Sequence, residues 1–133
     1  MTHQTPIIVR FADLDKFNHV NNAVYLTYAE QARIKYFDDT LGSSIDWKAK
    51  GLILAKSEAN YIRPIMLHDD IYVETCCDKI GTKSIRLVYR IFKNENGTTT
   101  EMCNGITILV GYDYNQDSSI PIPKEWKKKL IEN

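Results

Sequence analysis

One long helical stripe followed by alternating stretches constrains this chain more than any other feature. Between residue 22 and about residue 40, Tyr25, Ala29, Ala32 and Tyr36 recur at i, i+4, i+7 and i+11, the spacing of one helix face. The two alanines keep the stripe thin, so a sheet can approach closely. Asn21 or Asn22 caps the start, and Gly42 suits the exit. Asp38 and Asp39 oppose the dipole at the C-terminal end, which predicts a weak last turn.

From Leu52 the period changes to two. Leu52 to Ile62 reads as one strand, stopped by Pro64. Ile71, Val73, Thr75 and Cys77 alternate with Tyr72, Glu74, Cys76 and Asp78 up to Gly81. Ile85, Leu87, Tyr89 and Ile91 alternate with Arg86, Val88 and Arg90, and Asn96-Gly97 is a hairpin step into a last strand, Thr98 to Tyr112. Ahead of the helix, Ile7 to Phe11 reads as a short strand. Asp46 to Lys50 reads as a turn, and Glu125 to Leu130 as a short amphipathic helix. Strands do not alternate with helices here, so the class is α+β, with an antiparallel sheet wrapped around one helix. One helix cannot cover a wide sheet. The uncovered face or edge predicts a homodimer or homotetramer.

Composition narrows the partners. At 133 residues the chain is expected to form one domain, 1–133. Lys plus Arg and Asp plus Glu each total 17, so the excess positive field that nucleic acid or an anionic membrane needs is missing. No apolar run approaches the roughly 20 residues that span a bilayer. The first residues have neither a basic start nor an apolar stretch, and the cysteine count is odd (Cys76, Cys77, Cys103), which together predict reduced thiols and a cytoplasmic location. Cys76 and Cys77 are neighbours on a strand and point to opposite faces, so they read as space-fillers. His3, His19 and His68 show no metal-ligand spacing, and no metal is expected.

The chemistry concentrates in Phe11-Ala12-Asp13-Leu14-Asp15-Lys16-Phe17-Asn18-His19-Val20-Asn21-Asn22, between a strand and a helix start. First-turn N–H groups have no intrahelical partner and lie at the dipole's positive end. A carbonyl oxygen resting there is stabilised as it gains negative charge, and a nearby carboxylate can attack its carbon or take a proton from water. Asp and Asn also favour turns and caps, so the composition alone allows a purely structural loop.

The segment Phe11-x-Asp13-x-Asp15-x-x-x-His19-Val20-Asn21-Asn22, then Tyr25-Leu26-x-Tyr28-x-Glu30-x-Ala32-Arg33, resembles the acyl-thioesterase branch of the hotdog fold. That branch includes 4-hydroxybenzoyl-CoA thioesterase and the acyl-carrier-protein thioesterases. Asn60-Tyr61-Ile62-Arg63-Pro64, Asp69 to Thr75, Ser84 to Phe92 and the Pro121-x-Pro123-x-x-Trp126 ending extend the match over nearly the whole chain.

The resemblance implies a thioester hydrolase. Asp15 matches the catalytic carboxylate, as nucleophile or as general base. His19 would orient water or substrate, and Asn22 would offer its backbone N–H to the thioester carbonyl. Asp13 is structural in this reading. Phe17 would line the acyl pocket, Tyr25 is counted as a substrate-binding residue, and Arg63 and Lys83 as contacts to the phosphates of coenzyme A or of a phosphopantetheine arm. Coenzyme A enters as part of the substrate, and no separate cofactor is implied. An acyl carrier protein is a further partner this reading allows.

Two positions depart from the family pattern. Asn18 stands where many relatives have Gly, and Asn tolerates positive φ. Phe17 stands where the carrier-protein enzymes place a catalytic Asn, which argues against their mechanism here. Glu30 is a second helix carboxylate, read as an exposed partner of Arg33 at i+3. The alternatives are a hotdog hydratase or dehydratase and a non-catalytic acyl-CoA-binding module.

Overall fold

The computed structural model describes residues 2–42 and 45–132. Strand β1 (His3–Ile7) is followed by a 3₁₀ turn (Phe11–Asp13) and helix α1 (Asn22–Leu41). Strands β2 (Lys50–Ser57), β3 (Asn60–Tyr61), β4 (Asp70–Ile80), β5 (Ser84–Glu95), β6 (Thr98–Asp113) and β7 (Ser118–Ser119) come next, and helix α2 (Lys124–Glu132) ends the chain. The sheet is antiparallel with order β1-β4-β5-β6-β2, and β3 and β7 also pair with β6. This sheet curls around α1, the hotdog arrangement expected of the α+β pattern.

The helical stripe is the buried face: Tyr25, Ala29, Ala32 and Tyr36 are all at most 5% exposed. Burial removes them from water at about 25 cal/mol per Å² of apolar surface, which holds helix to sheet. Around the N-terminal half of α1 they pack with Val20, Ile65, Val73 and Ile91, and around the C-terminal half with Ile85, Leu87, Leu109 and Trp126. The Asn21 side chain caps the helix, accepting from Ala23 N at 2.9 Å, and Gly42 leaves it at φ 88°. The last turn is held despite its acids. Asp39 Oδ2 lies 2.8 Å from His3 Nε2, and Asp39 Oδ1 accepts from Lys35 Nζ at 3.0 Å. Those two partners, His3 first, keep the Asp39 carboxyl below its ordinary range. Asn96 and Gly97 both take positive φ (50° and 77°), the type I′ turn that matches strand twist.

Three expectations are corrected. The first strand lies earlier than Ile7 to Phe11, because His3–Ile7 is the segment in register with β4, His3 facing Thr75 and Ile7 facing Ile71. Asp13 then bends the chain by accepting from Arg10 N at 3.0 Å, which leaves Ile8 and Phe11 at 84% and 80% exposed. The single strand Leu52 to Ile62 is two, since pairing with β6 shifts at Ala55 and stops at Ser57 before resuming at Asn60. Cys103 is fully buried and Cys77, half-buried, packs against the core around Leu87, whereas Cys76 is half-buried and belongs to neither core cluster. Burial pushes the Cys77 and Cys103 thiols up to about 11.

Candidate active site

The segment between β1 and α1 folds into a short hairpin. Leu14 pairs with Val20, Asp15 N donates to His19 O at 3.0 Å, and Asn18 N donates to Asp15 O at 3.0 Å. Asn18 sits at φ 67°, the left-handed conformation the missing glycine would have supplied. Val20 N donates to Ile65 O at 2.8 Å and His19 pairs with Met66, so the hairpin is sewn to the segment before β4.

Asp13 anchors this loop from below. It is 2% exposed and accepts from the Arg10 guanidinium at 2.8 Å and from Tyr28 Oη at 2.7 Å. Burial opposes its ionisation, yet the bonds from Arg10 and Tyr28 hold its carboxyl below the ordinary range. Asp13 O also receives Asn21 N at 2.9 Å, so one residue fixes both the loop and the helix cap.

Asp15 Oδ1 accepts from Phe17 N at 2.8 Å, which fixes the carboxylate. Its Oδ2 lies 3.9 Å from His19 Nδ1, an approach that one water would bridge. The Phe17 ring stacks on His19 at 6.0 Å between centroids and is otherwise 67% exposed. His19, Asn22, Tyr25, Tyr61, Ile62, Arg63 and Pro64 line a cleft of about 190 Å³, with Asp15 standing behind His19.

Three first-turn amides of α1 have different fates. Ala23 N donates to the Asn21 side chain and Val24 N to Asn21 O, both at 2.9 Å. Asn22 N–H has no partner among the described residues, and Asn22 lines the cleft. A first-turn N–H of this kind is able to donate to an oxygen from outside the helix.

The floor and far wall come from elements distant in sequence. Tyr25 is 2% exposed; its hydroxyl accepts from Ile65 N at 3.0 Å and donates to Arg63 O at 3.4 Å. Burial raises its pKa, so it stays protonated. The Tyr61 hydroxyl donates to Asn22 O at 2.8 Å, and its ring meets Tyr25 edge-on at 5.0 Å.

His19, Asn22, Tyr25 and Arg63 are thus brought together on the cleft, and Asp15 meets it through His19. Phe17, expected to line an acyl pocket, instead stands exposed against the His19 ring outside the cleft lining. Lys83 is not brought to the cleft. Its Nζ lies 3.4 Å from Ser119 Oγ and its carbonyl accepts from Gly111 N, whereas Tyr61 is level with Cys103. Eight residues of strand separate those levels, about 27 Å. Glu30 is exposed, 3.4 Å from Arg33. Among the described residues no three His, Cys, Asp or Glu side chains converge as a metal site.

Two contributors have no role legible in the sequence. Tyr61 stands in the Asn60–Pro64 match with no chemistry of its own, yet its hydroxyl ties β3 to the helix start. Gly105 is the other. A Cβ there would fall 1.9 Å from Glu58 O, so only glycine lets the β2–β3 connection cross β6. A lone Gly inside a strand pattern is the signal that marks such a close approach.

The helix-start donor, the loop anchored by Asp13 and the curled sheet define a class. The chain belongs to the thioesterase-like superfamily, whose family model matches residues 9–130, and it is a thioester hydrolase of that class. It is 27% identical over 130 residues to the long-chain acyl-CoA thioesterase FadM of Escherichia coli, covering 96% of each chain. A thioesterase from Thermus thermophilus, solved with coenzyme A and zinc, is 32% identical with a TM-score of 0.81, covering 97% of this chain and 91% of that one. A 1,4-dihydroxy-2-naphthoyl-CoA thioesterase from Synechocystis shares the fold at a TM-score of 0.87 and 16% identity, covering 99% and 97%.

Proposed function

We propose that this chain hydrolyses acyl-coenzyme A thioesters, with Asp15 as general base. The observation that carries this is the uncommitted Asn22 N–H on the wall of the cleft it shares with His19, whose Nδ1 lies 3.9 Å from Asp15 Oδ2. The thioester carbonyl oxygen rests on Asn22 N–H. A water held between Asp15 Oδ2 and His19 gives its proton to Asp15 and adds to the carbonyl carbon. The oxygen gains negative charge where the N–H and helix dipole oppose it. Collapse breaks the C–S bond, and the thiolate takes the proton from Asp15. The bond from Phe17 N to Oδ1 leaves Oδ2 free for this work.

Arg63, exposed at the cleft rim, is placed to meet a phosphate of coenzyme A. Lys83 serves this role only for a site in a second subunit. A second copy has a place to bind, since β2 ends the sheet with exposed Ile53 and Leu54. Light scattering in solution checks the resulting homodimer.

Asp15→Asn keeps the bond from Phe17 N but loses the base. It is expected to lower kcat about 100-fold or more at unchanged Tm, because general-base groups contribute about 10²–10⁴-fold. Thiol release from an acyl-CoA panel measures this. Near-wild-type turnover by a folded Asp15→Asn protein would sink the assignment.

A further inference from the structure

We propose that Asp69 is a positioning residue for His19: its carboxylate closes the turn whose first residue pairs with His19, and so holds the imidazole at the cleft. The effect on turnover rests on the acyl-thioester reading above. Asp69 itself stands outside the cleft lining.

The imidazole is weakly held by its own contacts. Its Nδ1 lies 3.4 Å from Val20 O and 3.9 Å from Asp15 Oδ2, both long for hydrogen bonds. The Phe17 ring that stacks on it is itself exposed. Where His19 sits is therefore decided by its backbone. On one side that backbone closes the hairpin, its carbonyl receiving Asp15 N. On the other it pairs with Met66, in the segment between β3 and β4.

Met66 is placed by Asp69. Met66 N donates to Asp69 Oδ2 at 2.8 Å, and Met66 O accepts from Asp69 N at 3.1 Å, so both backbone polar groups of Met66 go to one residue. Met66 to Asp69 thus form a closed turn. His68, its third residue, stands at φ 74°, a conformation uncommon for a residue with a side chain. The turn needs closure from outside its own preferences, and the Asp69 carboxylate supplies it. The second oxygen is anchored on the sheet: Asp69 Oδ1 lies 3.2 Å from Lys93 Nζ on β5, and Lys93 Nζ lies 3.0 Å from Glu95 Oε2. The Asp69 side chain is only 11% exposed, so water competes little for either contact.

The rest of the cleft wall is held independently. Ile62 N and Arg63 N both donate to Met102 O on β6, at 3.0 and 3.1 Å, and Ile65 N donates to the Tyr25 hydroxyl at 3.0 Å. Loss of the Asp69 clamp frees Met66 and leaves Arg63 in place. The step that uses His19 then suffers, and the binding that uses Arg63 does not.

The test compares Asp69→Ala, Asp69→Asn and Lys93→Met with wild type. It reads kcat and KM for acyl-CoA, and the imidazole Cε1–H signals of the unliganded protein by NMR, assigned with His→Gln variants of His3, His19 and His68. Asp69→Ala is expected to lower kcat at least about tenfold with KM within about twofold, since a misplacement of about 1 Å costs up to about 100-fold. Its His19 signal should move or split while that of His3, on β1, stays put. Asp69→Asn keeps an oxygen for Met66 N, and should restore most of kcat and return the His19 signal. Lys93→Met loses an ion pair but keeps both Met66 bonds; it should lower Tm without lowering kcat. Where Asp69→Ala does not fold, Asp69→Glu keeps the charge for Lys93, moves the oxygen away from Met66 N, and should show the same loss of kcat at unchanged KM. Unchanged kcat in the clamp variant, a rise in KM alone, or a loss of kcat shared by Lys93→Met would overturn the assignment, the last by showing that Asp69 acts through stability. So would an Asp69→Asn protein as impaired as Asp69→Ala. If wild type releases no thiol, the acyl-CoA reading falls and the His19 signal decides the clamp: a shift in Asp69→Ala supports it, and an unmoved signal overturns it.

Discussion

Replacing Gly105 by alanine is the sharpest test of how the fold builds the cleft. Gly105 lies in β6 where the β2–β3 connection crosses it, and an added Cβ would sit 1.9 Å from Glu58 O and 2.6 Å from the Tyr89 hydroxyl. The first contact is with backbone, so the connection itself must move. Two bonds hold that connection: Tyr89 Oη to Glu58 O at 2.8 Å and Glu58 N to Ile106 O at 2.9 Å. Losing the backbone bond costs about 1 kcal/mol, and leaving the buried Tyr89 hydroxyl unpaired costs about 1–3 kcal/mol more. The sum, about 3 kcal/mol, is a large part of the 5–15 kcal/mol that typically holds a domain together. The damage also propagates, because β3 follows the connection and carries Tyr61, whose hydroxyl grips Asn22 O. Urea unfolding should show the loss of stability, and kcat should fall in the fraction that stays folded. A Gly105→Ala protein within about 0.5 kcal/mol of wild type, the usual range for an innocuous surface change, and with normal turnover would refute the crossing argument.

Three further outcomes follow from the same geometry. Tyr61→Phe removes the bond to Asn22 O at an exposed position; kcat should drop several-fold, with stability changed by about 1 kcal/mol or less in a thermal melt. Asp13→Asn should destabilise the protein at neutral pH. Because the folded carboxyl of Asp13 titrates below its unfolded value of about 3.9, its contribution is present above that pH. The gap between wild type and mutant should therefore close as pH falls through the folded value, and a gap independent of pH between 7 and about 3 would contradict the ion-pair account. Cys103, fully buried with its thiol pushed up to about 11, should resist a thiol reagent at neutral pH until urea unfolds the chain. Rapid labelling of Cys103 in the native protein, detected by mass spectrometry, would count against that burial.

The sequence by itself determined what depends on local period and local chemistry. The stripe from Tyr25 to Tyr36 specified the helix and its buried face, because four side chains at helical spacing can be hidden only by packing that face on a sheet. Asn96-Gly97 specified a hairpin, since both residues accept positive φ, and Asn18 could replace glycine in the turn before His19 for the same reason. Asp15, His19 and Asn22 were legible as a group because they fall within eight successive residues, on one loop and the helix start that follows it. Where the local signal was ambiguous the reading slipped. Ile7 to Phe11 had the composition of a strand, but registration with β4 selected His3–Ile7. The run from Leu52 to Ile62 had no visible break, because the break is imposed by crossing Gly105.

Tertiary structure decided everything that requires distant segments to meet. Tyr61 reaches Asn22, and Tyr25 reaches Ile65, across gaps of 39 and 40 residues. Periodicity tells a residue which face it occupies. It carries no information about the tilt between layers, and that tilt is set by the packing of all of them at once.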